Sequence, residues 1–313
     1  MKNRIVESKK TAFLSSHFSG AIKLDFLLKK KIQIDTIITI SEQIANKANV
    51  SGYYDFSRIA NENGIDIYYV QKFDLSGSDD AKFFRNSDFD ILLISGWQRL
   101  ISDDVLDSLR IGAIGEHGSS EYLPRGRGRS PVNYTIMENR RRFVVHIFKA
   151  ESKADSGDII DKDVFQINDF DDVYSVYSKF ALSSASLFIK NYEAIMIDDW
   201  EPLNEADIVP TYYRKIQEKD NYIFWDKSTS EIYNKIRANT HPYPGAKSKI
   251  NSSVVTIWRA QPFDYNYEDF NRQFGEVIVC FPNNDFIVKT SDGLLLVTDY
   301  DYKMKINSGD ILL

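Results

Sequence analysis

The first 120 residues alternate short apolar runs with amphipathic stretches. Residues 11–14, 34–40, 65–70, 89–94 and 111–116 are brief and rich in apolar, often β-branched side chains. Runs of this length suit strands buried on both faces. Between them, residues 20–28 space Ile22, Leu24, Phe26 and Leu27 as a helix does, and residues 57–63 read as a short helix closed by Gly64. Residues 102–109 open with Ser102-Asp103-Asp104, a cap followed by an acidic first turn. Strands and helices in this rhythm predict βαβ units and an α/β fold with a mainly parallel sheet. Further strands are expected at 142–149 and 159–167. The longest helix is expected at 171–192, where Val173, Val176, Tyr177, Phe180, Ala181, Ser184, Leu187 and Phe188 share one face.

The pattern changes near residue 201. Residues 201–221 are polar, contain Pro202 and Pro210, and read as a connecting segment. A helix at 228–238 follows and is broken by His241-Pro242-Tyr243-Pro244-Gly245. Short strands are expected at 254–258, 275–281, 285–290 and 293–298, the last three separated by Asn283-Asn284 and Asp292-Gly293. That is a small β-rich module with the look of a partly open barrel. The predicted organisation is a first domain at 1–203, a linker at 204–221 and a β-rich C-terminal domain at 222–313.

Parallel sheets bind ligands beyond the carboxyl ends of their strands. On this reading Gly96-Trp97 follows the fourth strand and His117 ends the fifth, so both lie on the functional rim. His117 is one of only four histidines, and Asp155 follows 38 residues later in Asp155-Ser156-Gly157. An imidazole oriented by a carboxylate takes or gives a proton near neutral pH. Arg125-Gly126-Arg127-Gly128-Arg129 reads either as a solvated basic turn or as an anion-facing loop beside that rim.

Composition removes several alternatives. With 39 basic and 45 acidic residues among 313, the net charge is −6, which argues against general binding to nucleic acid or anionic membrane. Cys280 is the single cysteine, so neither an internal disulfide nor a cysteine zinc site is expected. His17, His117, His146 and His241 show no metal-ligand spacing, and no metal is predicted. The turn Ser15-Ser16-His17-Phe18-Ser19-Gly20 lacks the glycine fingerprint of dinucleotide binders. No serine-nucleophile elbow occurs. The absence of a signal-like run in residues 1–10, and of any stretch long enough to span a membrane, predicts a soluble cytoplasmic protein.

Several motifs in fixed order resemble those of the folate-dependent formyltransferase family. Its members include methionyl-tRNA formyltransferase, glycinamide ribonucleotide formyltransferase and the nucleotide-sugar N-formyltransferases. His117-Gly118-Ser119, Leu123-Pro124 and Arg127-Gly128-Arg129-Ser130-Pro131-Val132-Asn133 match the first family motif, and Asp155-Ser156-Gly157-Asp158-Ile159 the second. Residues 231–246 resemble the start of the family's C-terminal module. The resemblance implies a Rossmann-like formyltransferase domain, 10-formyltetrahydrofolate as co-substrate, and transfer of the formyl group to a primary amine. It implies His117 and Asp155 as catalytic residues and the Trp97-Gln98-Arg99-Leu100 segment as a wall of the folate pocket.

Two departures stand out. Gly115 stands where the family has an asparagine that helps hold the oxyanion, and the segment between His117 and Leu123 is two residues longer than the family pattern. Loss of an oxyanion donor costs about 3 kcal/mol of transition-state stabilisation. Glu116 points to the opposite face of its strand and is not expected to substitute. The Arg-Gly-Arg-x-Pro form and His-Pro-Tyr-Pro-Gly favour a nucleotide-linked amino sugar as acceptor, with its phosphates at residues 125–129, Tyr212-Tyr213-Arg214 near the base, and a homodimer. The alternatives are methionyl-tRNA formylation and a non-catalytic folate-binding relative.

Overall fold

The computed structural model describes residues 9–203, 208–265, 267 and 271–313. Most of the N-terminal stretch read for a signal, and residues 204–207 at the start of the expected linker, lie outside the described residues. Fourteen strands are assigned among the described residues: β1 Thr11–Leu14, β2 Thr36–Thr39, β3 Asp66–Tyr69, β4 Ile91–Ile94, β5 Gly112–Ser119, β6 Arg127–Gly128, β7 Arg142–Lys149, β8 Ile159–Gln166, β9 Tyr212–Tyr213, β10 Ala246–Ile250, β11 Ser253–Asp264, β12 Val277–Cys280, β13 Phe286–Lys289 and β14 Leu294–Asp301. The α-helices are α1 Phe18–Lys29, α2 Glu42–Ala48, α3 Ser57–Asn63, α4 Ser78–Ser87, α5 Asp103–Leu106, α6 Pro131–Met137, α7 Val173–Lys190, α8 Tyr192–Met196 and α9 Thr229–Asn239.

Seven strands form one sheet in the order β3-β2-β1-β4-β5-β7-β8. The pairs β1–β2, β1–β4, β2–β3 and β4–β5 are parallel, and β5–β7 is antiparallel. The expectation of an α/β fold with a mainly parallel sheet is thus borne out. Phe13, Leu14, Ile37, Ile38, Leu92 and Leu93 are almost wholly buried on these central strands, which is why their sequences read as unbroken apolar runs. Five further strands form an antiparallel sheet in the order β10-β11-β14-β13-β12, the expected β-rich module. Its core includes Trp225, Ile236, Val255, Ile257, Phe286, Val288, Leu295 and Val297.

By packing, the chain divides into two compact units. The first is Met1–Gly128, Val144–Phe165 and Ser178–Tyr212; the second is Arg129–Phe143, Gln166–Tyr177 and Tyr213–Leu313. The five-stranded sheet and α6 belong to the second unit. There Asn133 Nδ2 donates to the Ala238 carbonyl at 2.6 Å, and the Tyr177 and Tyr243 hydroxyls meet at 2.9 Å.

The differences from the sequence reading have local causes. Strand β5 does not stop at Glu116; it runs on to Ser119, so His117 lies within the strand. Parallel β4 pairs with it only as far as Ile114, and antiparallel β7 supplies hydrogen-bonding partners for the rest. Helices α2, α4 and α6 and strand β10 were not anticipated. In α4 the apolar face is interrupted because Asp80 points inward. It accepts the Gln71 and Lys72 amides at 2.9 and 3.1 Å and the Tyr68 hydroxyl at 3.0 Å. The helix expected at 102–109 is a single turn, and the Ser102 side chain makes no cap bond. In α9, by contrast, Ser228 and Glu231 form a complete capping box. Among the described residues no helix is long and apolar enough to cross a membrane.

Candidate active site

The site is built on the part of β5 that extends past its parallel neighbours. Alternation sends Gly115, His117 and Ser119 to one face and Glu116 to the other. Across the ladder, Gly115 pairs with Phe148, His117 with His146, and Ser119 with Val144.

The Glu116 face is a buried polar cluster that sequence reading missed. Lys23 Nζ, from α1, lies 2.6 Å from Glu116 Oε2 and 2.7 Å from Ser184 Oγ, and Ser95 Oγ donates to Glu116 Oε1 at 2.7 Å. Ser184 also donates to Glu116. Both charged side chains are nearly inaccessible, at 3 % and 2 %. Nothing local announces this pair, because its members lie far apart in the chain.

On the other face the structure brings His117 and Asp155 together. Nδ1 of His117 is 3.3 Å from Asp155 Oδ1, and Nε2 is 2.7 Å from the Gly126 carbonyl. Asp155 is held at its second oxygen by the Gly128 N–H at 2.8 Å. A backbone reason stands behind the Asp-x-Gly spacing. Asp155 is left-handed at φ 49°, and Gly157 has φ 114°, with any Cβ there falling 1.9 Å from the Lys149 carbonyl oxygen. Only glycine lets this turn lie against the end of β7 and aim Asp155 at the ring.

Both nitrogens of His117 face oxygens that only accept, so the doubly protonated ring satisfies the site best. Burial pushes the imidazole down, but Asp155 and the Gly126 carbonyl outweigh it, and the pKa is raised above 6.5. Burial pushes Asp155 up; the His117 charge and hydrogen bond, the Gly128 amide and Arg127 overcome this, and its pKa is lowered below 3.8.

Gly115 leaves room that a neighbour has taken. A Cβ at this position would lie 2.8 Å from Phe148 Cε2 and 3.0 Å from Cζ. Phe148 is itself buried with Leu123 and Ile159. An asparagine at 115 and the present Phe148 conformer therefore exclude one another. The variant Gly115→Asn is expected to lose about 1–3 kcal/mol of stability through overpacking, and Phe148→Ala in the same chain to return part of it. Urea melts of the two variants check this.

The 97–100 segment follows β4, as the sequence implied, and its described contacts turn toward Phe73. Trp97 packs edge-on to Phe73 at 4.9 Å, and the Arg99 guanidinium lies over the same ring at 4.4 Å. Gln98 Nε2 reaches the Ser51 carbonyl at 3.4 Å, and Leu100 is exposed. In the second unit, Tyr213 stacks on Tyr134 at 4.6 Å and Arg214 forks onto Asp220 at 2.6 and 2.8 Å. Tyr212 and Arg214 are largely exposed.

Three buried donors near these motifs have no hydrogen-bond partner: Trp97 Nε1, Arg127 Nε and His146 Nδ1. A buried donor without an acceptor costs about 1–3 kcal/mol, so each marks a place where an incoming group gains a contact. No set of three or more histidine, cysteine, aspartate or glutamate side chains suited to a metal ion occurs among the described residues. A recess of about 540 Å³ in the second unit is lined by Phe281, Asn284, Asp285, Tyr300, Tyr302 and Lys305 among others. None of the motif residues lines it, and it is not where this chemistry lies.

Comparison with known proteins agrees with the motifs. Residues 9–191 match the model of the formyl transferase domain, and residues 215–310 match the formyl transferase C-terminal domain. Methionyl-tRNA formyltransferase of Fusobacterium nucleatum is 27% identical over 275 residues, covering 87% of this chain and 86% of that protein. Among solved structures, a variant of HypX from Aquifex aeolicus aligns with TM-score 0.68 and 18% identity. That alignment covers 97% of this chain and 46% of HypX, so the chain spans less than half of that longer protein. An N-formyltransferase from Helicobacter canadensis, solved with folinic acid and dTDP-3-aminofucose, aligns with TM-score 0.64 and 18% identity over 94% of this chain and 100% of the other.

Proposed function

This chain belongs to the formyl transferase family and is a folate-dependent formyltransferase, and from that premise we propose that it formylates the primary amine of a nucleotide-linked amino sugar. The observation that carries the reaction is the His117–Asp155 pair at 3.3 Å. The neutral acceptor nitrogen adds to the formyl carbon of 10-formyltetrahydrofolate, and the bond from that carbon to N10 breaks. One acceptor N–H is exchanged for N–CHO, and N10 leaves with a proton. His117 moves that proton, donating to N10 and being reprotonated from the acceptor nitrogen. Asp155 keeps Nδ1, so Nε2 is the working nitrogen, and it exchanges the Gly126 carbonyl for substrate.

The folate ring is assigned to the wall at Trp97, Gln98, Arg99 and Leu100, where the free Trp97 N–H offers a donor to the pterin. The sugar nucleotide's phosphates are assigned to Arg127, whose Nε lacks a partner and whose charge is felt by both His117 and Asp155. The amino-sugar acceptor is supported by the dTDP-3-aminofucose bound to the Helicobacter canadensis enzyme. It is also supported by the near balance of charge in residues 222–313, with ten lysines and arginines against eleven aspartates and glutamates. A module that reads RNA needs a basic face. We assign catalysis to residues 1–203, with 204–221 as linker and 222–313 as the accessory module, in a cytoplasmic homodimer whose assembly light scattering reads.

The methionyl-tRNA reading is favoured by several relatives of that name at 24–27% identity. The deciding experiment supplies 10-formyltetrahydrofolate with a panel of nucleotide amino sugars, or with charged initiator tRNA, and measures release of tetrahydrofolate. Turnover with a sugar and none with tRNA is expected; the reverse overturns the acceptor assignment.

A pH dependence follows from the pair. The pKa of His117 is raised above 6.5, so its contribution to stability is complete below pH 6.5 and is lost as pH rises through its folded value. The pKa of Asp155 is lowered below 3.8, so its contribution is present above 3.8 and is lost as pH falls through its folded value. Denaturation midpoints are therefore expected to decline on the alkaline side of 6.5, and Asp155→Asn to flatten that decline.

A further inference from the structure

The formyl oxygen becomes an oxyanion during transfer, and at position 115 this chain has no side chain to meet it. Phe148 fills the space beside Gly115 with an apolar ring. Two residue pairs further along the ladder, His146 stands directly across from His117, on the same face of the sheet. Cβ atoms of such partners lie about 4.5–5.5 Å apart.

His146 is wholly buried. The Leu123 N–H donates to its Nε2 at 3.4 Å, so Nε2 is the accepting nitrogen and the proton of the neutral ring is on Nδ1. Burial, with the charges of His117 and Lys162 adding to it, holds the pKa at about 3, so the ring stays neutral beside the imidazolium. Its Nδ1 has no partner. Of the buried donors without a partner, this N–H belongs to the residue paired directly with the reacting histidine.

We propose that His146 is a catalytic residue of this chain, its Nδ1–H donating a hydrogen bond to the formyl oxygen in the tetrahedral intermediate in place of the side-chain amide missing at Gly115. The inference rests on the formyl-transfer reading above. No proton leaves His146: the oxyanion accepts the hydrogen bond, the carbon–N10 bond breaks, and the carbonyl re-forms. Access comes with access to His117, because one segment covers both rings. Gly126 of that segment caps His117, and Leu123 caps His146. Substrate that displaces Gly126 from His117 leaves the Leu123 N–H on Nε2, which keeps the His146 proton on Nδ1.

Substitutions that keep different edges of the ring test this. An asparagine retains an N–H near the Nδ1 position; a glutamine retains a polar group near Nε2. His146→Ala and His146→Gln are expected to lower kcat about 100-fold, with KM for both substrates changed only a few-fold, as removal of an oxyanion donor does. His146→Asn is expected to stay within about 10-fold of the wild type. If His146 serves only to accept the Leu123 amide, the order reverses, with Gln active and Asn impaired, and that result overturns the proposal, as does equal activity in all three. Wild-type turnover in the same assay reads the formyl-transfer assignment separately. A measurement on the unaltered protein covers the case of variants that do not fold. In protein labelled with ¹⁵N-histidine, the His146 Nδ1 proton should move downfield when 10-formyltetrahydrofolate is added. A proton that stays in place overturns the assignment.

Discussion

Replacing His117 by alanine is expected to reduce kcat by about 10³-fold, within the range for loss of a positioned acid or base. Asp155→Ala is expected to be of similar size, although Asp155 need not touch substrate. Without the carboxylate, Nδ1 loses its partner at 3.3 Å, and the pKa of His117 loses its largest upward influence. The ring is then neutral at neutral pH and free to turn. Because the two residues act as a unit, the double variant should be little worse than either single one. Steady-state release of tetrahydrofolate gives kcat, and KM for the folate should change much less, since its proposed wall lies at residues 97–100. Persistent turnover in His117→Ala would remove the histidine from the reaction.

The largest expected effect on stability is at Lys23. Truncation to methionine leaves the Glu116 carboxylate buried with only the Ser95 and Ser184 hydroxyls. Breaking a buried pair from one side costs about 3–5 kcal/mol, whereas replacing both charges with apolar groups is often close to neutral. Lys23→Met should therefore melt far below the wild type, and Lys23→Met with Glu116→Met should recover most of the difference. Guanidinium denaturation of the single and double variants measures it. Glu116 faces away from His117, so the double variant, once folded, should keep its formyl transfer. A double variant as unstable as the single one would mean that the cluster stabilises through its full hydrogen-bond pattern rather than through charge balance.

What could be read from sequence, and what could not, divides along physical lines. Strands β1, β2 and β4 were legible because both of their faces are buried and their residues are apolar throughout. His117 and Asp155 were legible because each lies in a motif whose glycines have backbone tasks, as Gly157 shows. The far end of β5 was not, because Glu116 and His117 break the apolar pattern and their burial depends on partners distant in the chain. Lys23 neutralises one across 93 residues, and Asp155 the other. Helix α4 was hidden for the same reason, its inward Asp80 being satisfied by backbone amides. The motif pattern exposed the missing asparagine at Gly115. It did not show that Phe148 had moved into the space, since that requires knowing which residue of β7 lies opposite.

The antiparallel pairing of β5 with β7 has one more consequence. The imidazole is carried by one strand, and the carboxylate by the turn just beyond the next, so the ladder between Ile114–Lys149 and Ser119–Val144 brings the two together, and the Gly157 turn and the Gly128 amide complete the aim. The excursion from Ser120 to Arg141 leaves from one side of this clamp and returns to the other. Within it Gly126 and Gly128 hold the two members of the pair and Arg127 acts on the charge of both, so only the residues outside 126–128 are free to drift in length and charge without disturbing the proton-handling pair. A lineage that lengthens or recharges residues 120–125 changes the cover beside the clamp while the clamp itself stays in register.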